Sequence, residues 1–307
     1  MNRGLPGWLL LFTVVIIGGF AGTALSAENA SVTAPAEEAG SVHHEVTGDF
    51  SYTAPARLRF DGTRYGDLDS QQYHVGYGIG LRSSPEWEWR TGVDFHALYL
   101  GVPADAPLPE HLYGVGVPLG FNWKFADRWQ LRVQARPGIY SDFEDITLDD
   151  VFVPIMLGAS YDMTTNLNLL GGLSIEYRRD IPVFPYFGAR WKFADQWTLV
   201  LIFPRPSIEY QLNNQLTLFA GGGLRGMAAQ VNEHFGTDYG RRDLNNTTLT
   251  YWEVRAGGGL RYQLAKKFTF EVDGGWAIER RMVYRDPDET LKTAGAPYVQ
   301  CSVTARF

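Results

Sequence analysis

The feature that most constrains this chain is a long alternation of apolar and polar residues. In residues 86–99, almost every second position is apolar and the positions between are mostly polar or charged. The pattern returns in residues 166–178 and 267–280, and no charge falls on the apolar face of any of the three segments. Successive side chains of a β-strand point to opposite faces. Each segment therefore predicts a strand with one apolar and one polar face.

Alternation alone also fits an antiparallel sheet in a soluble β-sandwich. Strand length argues against that alternative, because the segments run for about 11 to 14 residues, whereas soluble strands usually have about 5–6 and crossing a bilayer takes about 9–11. Short polar turns also alternate with long loops, as in outer-membrane barrels, where the short turns are periplasmic. The short turns are residues 83–85, 126–128, 162–165, 194–196, 213–214 and 265–266, and the long loops are residues 101–111, 141–150, 231–247 and 284–296.

Aromatic residues collect where the short turns meet the predicted strands. Six of the nine tryptophans lie there, namely Trp87, Trp89, Trp123, Trp129, Trp191 and Trp197. An amphipathic ring is favoured at the level of the lipid headgroups. We therefore predict that these six side chains form the periplasmic aromatic girdle of a membrane barrel.

Together these patterns predict an all-β fold, a transmembrane antiparallel up-and-down β-barrel of about 12–14 strands over residues 47–307. Fourteen candidate strands can be counted. Pro204 and Pro206 interrupt one region, and because proline cannot donate to a strand ladder, residues 197–213 could instead form one kinked passage. The first candidate strand, residues 48–60, is the other weak point of the count, and because a single-chain barrel needs an even number of strands, the alternative count is about twelve.

The first residues have the anatomy of an export signal. Arg3 precedes an apolar run from Trp8 to Phe20, and small residues follow up to Ala27. The run is shorter than the ~20 residues of a spanning helix, which argues against an uncleaved anchor. We predict a signal peptide at residues 1–27, a flexible periplasmic lead-in at residues 28–46, and a location in the outer membrane in contact with its lipid and lipopolysaccharide.

The last ten residues alternate from Tyr298 and end on Phe307. This segment resembles the C-terminal assembly signal of Gram-negative outer-membrane proteins, although Ala305 stands where an aromatic residue is common. The resemblance implies recognition by the barrel-assembly machinery. More widely, residues 50–307 resemble an uncharacterised family of bacterial outer-membrane β-barrels known by a domain-of-unknown-function label. That resemblance carries no catalytic residues across.

The polar strand faces predict the residues that line the lumen. The candidates are Arg90, Asp94, His96, Arg132, Arg136, Glu176, Arg178, Arg190, Lys192, Arg225, Glu253, Arg255, Glu271 and Asp273. Glu279 is expected to point inward as well, and inward glycines leave room beside the charges. The first hypothesis is a passive channel or transporter for small polar solutes with a mild preference for anions. The alternative is a closed structural or surface-interaction barrel, filled by Arg–carboxylate pairs, with its function in loops 231–247 and 284–296.

Catalysis is the weakest of the hypotheses. Asp94 and His96 share one strand face and could be half of a metal or hydrolase site, but no matching serine–histidine motif accompanies them. The glycine run at residues 76–80 alternates as a strand and is not followed by a helix, so no cofactor is expected. We therefore predict no enzyme activity and no metal site. The net charge of −7 without a basic block argues against nucleic acid as a partner.

Overall fold

The computed structural model describes residues 40–60, 62–265 and 267–307, which form one sheet closed on itself. This part of the chain makes fourteen antiparallel passages. They are β1 (Val42–Phe60), β2 (Thr63–Arg82), β3 (Trp87–Leu100), β4 (His111–Gly116 and Leu119–Ala126), β5 (Trp129–Ala135 and Gly138–Ser141), β6 (Val151–Phe152 and Ile155–Thr164), β7 (Leu167–Ile175), β8 (Val183–Lys192), β9 (Trp197–Val200), β10 (Ser207–Gln211), β11 (Leu216–Gln230), β12 (Thr248–Leu264), β13 (Phe268–Tyr284) and β14 (Glu289–Thr293 and Ala296–Arg306). No helix within the described ranges is long and apolar enough to cross a membrane.

A seam between the first and last strands closes the barrel. β1 pairs antiparallel with β14 from Glu45↔Arg306 to Thr53↔Tyr298. Backbone hydrogen bonds between His44 and Phe307 extend the seam, at 3.0 and 2.9 Å. All strand edges at the seam are therefore paired, as a barrel in lipid requires.

The alternative of twelve strands is wrong. β9 and β10 are separate strands that pair antiparallel with each other, from Trp197↔Tyr210 to Val200↔Ser207. Pro204 and Pro206 consequently lie in the connection between two strands, where a missing N–H interrupts no ladder.

Some boundaries differ from those expected from sequence. β1 begins at Val42, ahead of residue 47, because its first residues pair with β2 from Val42↔Leu81 and with β14 from Glu45↔Arg306. The expected long loop at residues 284–296 contains the first segment of β14, Glu289–Thr293, which pairs with β13. The predicted signal peptide and residues 28–39 of the predicted lead-in lie outside the described residues.

The outer surface of the barrel is apolar, and in the middle of β3 the inward side chains are polar, as the alternation predicted. On β3, the outward side chains of Val93 and Phe95 are 56% and 40% exposed, whereas Asp94 and His96 are 6% and 7% exposed. A soluble protein would bury the first pair and expose the second. The outer surface is therefore that of an outer-membrane barrel, with an apolar band facing lipid.

A β-bulge on β13 changes which residues face inward near the long-loop end. The pairing of β12 with β13 shifts between Val254↔Glu279 and Arg255↔Ala277, which leaves Ile278 as the extra residue. As a result Arg280, opposite Glu253, is fully buried inside the barrel. The expectation that Glu279 points inward is wrong, because the bulge places it on the face opposite to Arg280.

The interior is filled differently in its two halves. At the long-loop end, apolar side chains from the strands and from residues 101–110 and 231–247 pack into a buried cluster, here called the apolar plug. Its members are Leu58, Leu68, Leu98, Leu100, Ala106, Leu108, Leu112, Tyr140, Phe152, Met227, Ala229, Val231, Phe235, Leu244, Leu249, Tyr251, Met282, Tyr284 and Leu291. The barrel is narrower at the long-loop end, because β6–β10 do not extend that far. There β5 and β11 meet directly in a parallel bridge between Ser141 and Gln230. The half at the short turns holds a cavity.

Candidate functional site

A polar cavity of about 400 Å³ occupies the short-turn half of the barrel. Its walls come from β1–β5, β7, β8 and β10–β14, together with the connection between β9 and β10. Glycines on these walls make room for neighbouring side chains. A Cβ at Gly80 would lie 2.0 Å from the His43 ring, and one at Gly76 would lie 2.8 Å from Thr47 Oγ1. The cavity thus depends on inward positions that have no side chain.

Seven arginines and six carboxylates line the cavity. They are Arg90, Arg132, Arg205, Arg225, Arg255, Arg261 and Arg306, with Glu45, Asp49, Asp94, Glu209, Glu271 and Asp273. Most of these arginines are paired with carboxylates. Arg261 Nε lies 2.9 Å from Glu271 Oε2, Arg306 Nε lies 2.8 Å from Glu45 Oε2, and Arg225 pairs with Asp49.

Arg132 and Arg205 are the exceptions among the arginines of this wall. Arg132 donates a hydrogen bond to Gln134 Oε1 at 3.2 Å. In the described ranges, neither Arg132 nor Arg205 has a carboxylate oxygen within 4.0 Å. Sequence reasoning missed Arg205, because it lies between two prolines and outside any alternating strand. The aliphatic part of its side chain packs beside Gly223, where a Cβ would lie 3.4 Å from Arg205 Cγ.

Two histidines and two aspartates lie at the upper end of the cavity, where Asp49, His74 and Asp94 line it and His96 is buried directly above. His74 of β2 and His96 of β3 are direct cross-strand partners, and their rings stack with centroids 4.4 Å apart. His74 Nδ1 lies 3.2 Å from Asp49 Oδ2, and Arg136 Nε lies 2.9 Å from Asp94 Oδ2. Sequence reasoning grouped Asp94 with His96 but missed His74. Its proximity depends on the register of β2 against β3, which alternation does not specify.

A buried charged layer separates this end of the cavity from the apolar plug. Glu253 is fully buried and accepts hydrogen bonds from Tyr251 Oη at 2.7 Å and Thr53 Oγ1 at 3.1 Å. Arg280 is also fully buried and donates to the carbonyl oxygens of Leu68 at 3.0 Å and Ala54 at 3.1 Å. Hydrogen bonds to these groups offset the large cost of burying charge.

The predicted lumen residues lie in several parts of the barrel. Arg90, Asp94, Arg132, Arg225, Arg255, Glu271 and Asp273 line the cavity, and His96, Arg136 and Glu253 are buried above it. Arg190 NH2 lies 2.9 Å from Glu209 Oε2, and Lys192 is exposed at the short-turn rim. Glu176 pairs with Arg179 beyond the end of β7, and Arg178 donates to Gln230 Oε1 at 3.3 Å near the long-loop end. Glu176 and Arg178 therefore lie away from the cavity.

The six selected tryptophans all lie at the short-turn end. Trp89, Trp129, Trp191 and Trp197 are 39–52% exposed, while Trp87 and Trp123 stack on each other with ring centroids 5.0 Å apart. Phe307 packs edge-on against Phe268 at 5.9 Å beside the seam. Their roles at the membrane interface and in assembly stay predictions.

Comparison with known sequences identifies a family for this barrel. The model of a domain of unknown function, DUF6268, matches residues 87–294. The chain belongs to the DUF6268 family. No curated protein is similar to this DUF6268 chain in sequence.

Several solved structures of outer-membrane proteins are similar in outline to the DUF6268 barrel. A deletion mutant of the monoaromatic hydrocarbon channel TodX is 10% identical over 88% of this chain and 91% of its own, with a TM-score of 0.45. A COG4313 outer membrane channel from Pseudomonas putida F1 is 11% identical over 90% and 100%, with a TM-score of 0.41. The NanC porin is 11% identical over 85% and 98%, with a TM-score of 0.38. None of these TM-scores reaches 0.5.

Proposed function

We propose that this DUF6268 barrel is a gated outer-membrane transporter for small polar solutes, with a preference for anions. The observation that carries the proposal is the division of the interior into a charge-lined cavity and an apolar plug to which the loops at residues 101–110 and 231–247 contribute five side chains. Since short turns of such barrels are periplasmic, the cavity faces the periplasm and the plug faces outward. In this arrangement the described conformation is closed on the extracellular side.

The anion preference follows from the charges on the cavity wall. Arginines outnumber carboxylates there, and Arg132 and Arg205 have no carboxylate within ion-pair distance in the described part. A guanidinium presents several donors in a fixed planar arrangement that suits carboxylate and phosphate groups. A small anion in the cavity would therefore find two arginines that are not already neutralised by ion pairs.

The gate is assigned to the loops, because the barrel wall is complete without them. Tyr284 Oη donates to the Pro107 carbonyl at 2.6 Å, and Arg241 NH2 lies 2.5 Å from Glu289 Oε1. Arg241 also hydrogen-bonds Asp243 and thereby lowers the pKa of that carboxyl. For residues 101–110 and 231–247 to swing outward these contacts must break, as must the hydrogen bonds from Asn232 to Asp142 Oδ2 at 2.8 and 3.0 Å, and the apolar side chains of both loops must leave the plug.

Planar-bilayer recordings test the proposal. The wild-type barrel should be mostly silent, whereas a Leu108→Asp, Leu244→Asp double variant should give discrete conductance steps, because a carboxylate in the apolar plug must reach water. Under a salt gradient the reversal potential of the open variant should indicate anion preference, and adding Arg132→Gln and Arg205→Gln should shift it toward zero.

Arg64→Gln on the double variant is the matched control, since Arg64 is an exposed arginine paired with Asp67 outside the cavity. It should leave the reversal potential unchanged. A double variant that folds in the bilayer and never conducts contradicts the proposal.

A closed structural barrel is the second candidate. The buried charged layer and the apolar plug favour it, because together they fill the extracellular half. This function predicts silence in the wild type and also in the folded plug variant, so the same recordings separate the two candidates.

A further inference from the structure

Three potential metal ligands meet above the cavity, on two neighbouring strands. His74, Asp94 and His96 each offer one ligand atom, and these atoms lie within 4.8 Å of one another. All three residues are buried, with exposures of 6–7%. The grouping does not depend on whether solutes pass through the barrel.

The Nε2 atoms of the two histidines are the main evidence for a ligand. Both Nε2 atoms are buried and make no hydrogen bond within the described residues, and His96 Nε2 lies 3.6 Å from Asp94 Oδ2, one of the other candidate ligands. Buried polar atoms are normally satisfied, so an unpartnered pair needs an explanation. His74 Nδ1 is within hydrogen-bond distance of Asp49 Oδ2, at 3.2 Å. When Nδ1 donates to that carboxylate, Nε2 carries the lone pair that a metal ion requires.

The carboxylate of the group is also held in place. Asp94 Oδ2 lies 2.9 Å from Arg136 Nε, which leaves Oδ1 for another partner. Glycines make room on the same face. A Cβ at Gly116 would lie 2.6 Å from Asp94 Oδ1, and one at Gly76 would lie 3.4 Å from His74 Nε2. Larger residues at these two positions would crowd the ligand atoms.

We propose that His74, Asp94 and His96 bind a divalent transition-metal ion, with Zn²⁺ as the first ion to test. Two imidazoles and one carboxylate are a donor set that Zn²⁺ and related ions accept. Tetrahedral coordination brings ligand atoms to roughly 3.3 Å apart, so binding would draw the three side chains together. His74 and Asp94 line the cavity, which leaves a fourth coordination position open to water or to a solute. Asp49 acts as a positioning residue for His74.

The charges around the group permit an added cation. Arg136 and Arg225 are the arginines in contact with Asp94 and Asp49, and each is paired with that carboxylate. Coordination of Asp94 through Oδ1 would keep the contact with Arg136 on the other oxygen. Hydrogen bonds of this kind to a ligating carboxylate are common around metal ions.

The experiment uses the full barrel in detergent, stripped of metal with a chelator and titrated with Zn²⁺ by calorimetry and with Co²⁺ by absorbance. We expect one equivalent of either ion, visible d–d bands of four-coordinate Co²⁺, and a rise in melting temperature with Zn²⁺. His96→Gln and Asp94→Asn should each weaken binding at least tenfold. Asp49→Asn should weaken it 10- to 100-fold, as loss of an outer partner of a ligating histidine does.

His234→Gln is the control, because that side chain is 74% exposed in a loop away from the group. It should bind both ions as the wild type does. Absence of saturable binding to the folded wild type overturns the proposal, and so does wild-type affinity in folded His96→Gln or Asp94→Asn protein. If neither ligand variant folds, wild-type affinity together with unchanged Co²⁺ bands in Asp49→Asn overturns it.

Discussion

At the scale of single residues, glycines on the inner face determine how closely the wall can be packed. Gly171 and Gly172 are neighbours on β7 and point to opposite faces. A Cβ at Gly172 would lie 2.1 Å from the Leu157 carbonyl oxygen and 2.4 Å from Tyr186 Cζ. The atom nearest to a Cβ at Gly171 would be the Tyr186 carbonyl oxygen, 3.9 Å away. The two positions therefore form a matched pair for substitution.

We expect Gly172→Ala to lower the free energy of unfolding by about 1–3 kcal/mol, because a backbone oxygen must move to admit the methyl group. Gly171→Ala should change it by less than about 0.5 kcal/mol. Urea-induced unfolding from lipid vesicles, followed by tryptophan fluorescence, measures both values. Equal effects of the two variants would mean that the inner face tolerates a methyl group there.

Much of the residue pattern could be predicted from sequence, since alternation is a local signal. The faces of β3 follow directly from it, with Val93 and Phe95 outside and Asp94 and His96 inside. The plug could not be predicted in this way. Leu108 and Leu244 lie in loops without periodicity, and their burial depends on tertiary contacts across the barrel.

At the scale of elements, one part of the wall has far fewer ladder hydrogen bonds than the rest. β9 pairs with β8 from Arg190↔Val200 to Lys192↔Thr198, and an isolated bridge between Phe187 and Phe203 continues the contact past the end of β9. By contrast, β12 and β13 pair continuously from Leu249↔Tyr284 to Leu264↔Phe268, apart from one bulge. Local opening is easiest where few backbone bonds and contacts hold an element.

Hydrogen exchange should reveal this difference. Amides in residues 197–211 are expected to exchange faster than those in residues 248–264 when the barrel is in lipid, because fewer neighbouring bonds must break for each to open. Mass spectrometry of peptic fragments provides the comparison within one sample. Equal protection of the two regions would show that the short hairpin is held by other contacts.

The elements also show where sequence reasoning about strands fails. Strand positions and turn lengths were predictable because each depends on a few neighbouring residues. The bulge at Ile278 was not, since one extra residue reverses the faces of Glu279 and Arg280 without leaving an obvious signal. The stacking of His74 on His96 likewise required the register between two strands.

At the scale of the whole molecule, the tryptophans predict how deep the barrel sits in a bilayer. The short-turn end carries the six tryptophans of the predicted girdle, whereas Trp276 lies well along β13, 52% exposed on the outer face. Amphipathic aromatic rings favour the headgroup region.

Fluorescence quenching by nitroxide-labelled lipids tests this placement. A label near the headgroups should quench the wild type more strongly than a label at mid-bilayer, and replacing the six tryptophans by phenylalanine should remove most of that excess. A variant with only Trp276→Phe should retain it. Stronger quenching by the mid-bilayer label would place the short-turn end in the hydrocarbon region.

The seam between β1 and β14 has a consequence for biogenesis. Arg306 Nε donates to Glu45 Oε2 at 2.8 Å across a sequence separation of 261 residues. Contacts so distant along the chain form late and slowly, because loop closure must precede them. The ring cannot close until β14 is available to pair with β1, so the folding barrel passes through a stage with two open edges. Those edges have to be kept from pairing with other chains until the seam forms.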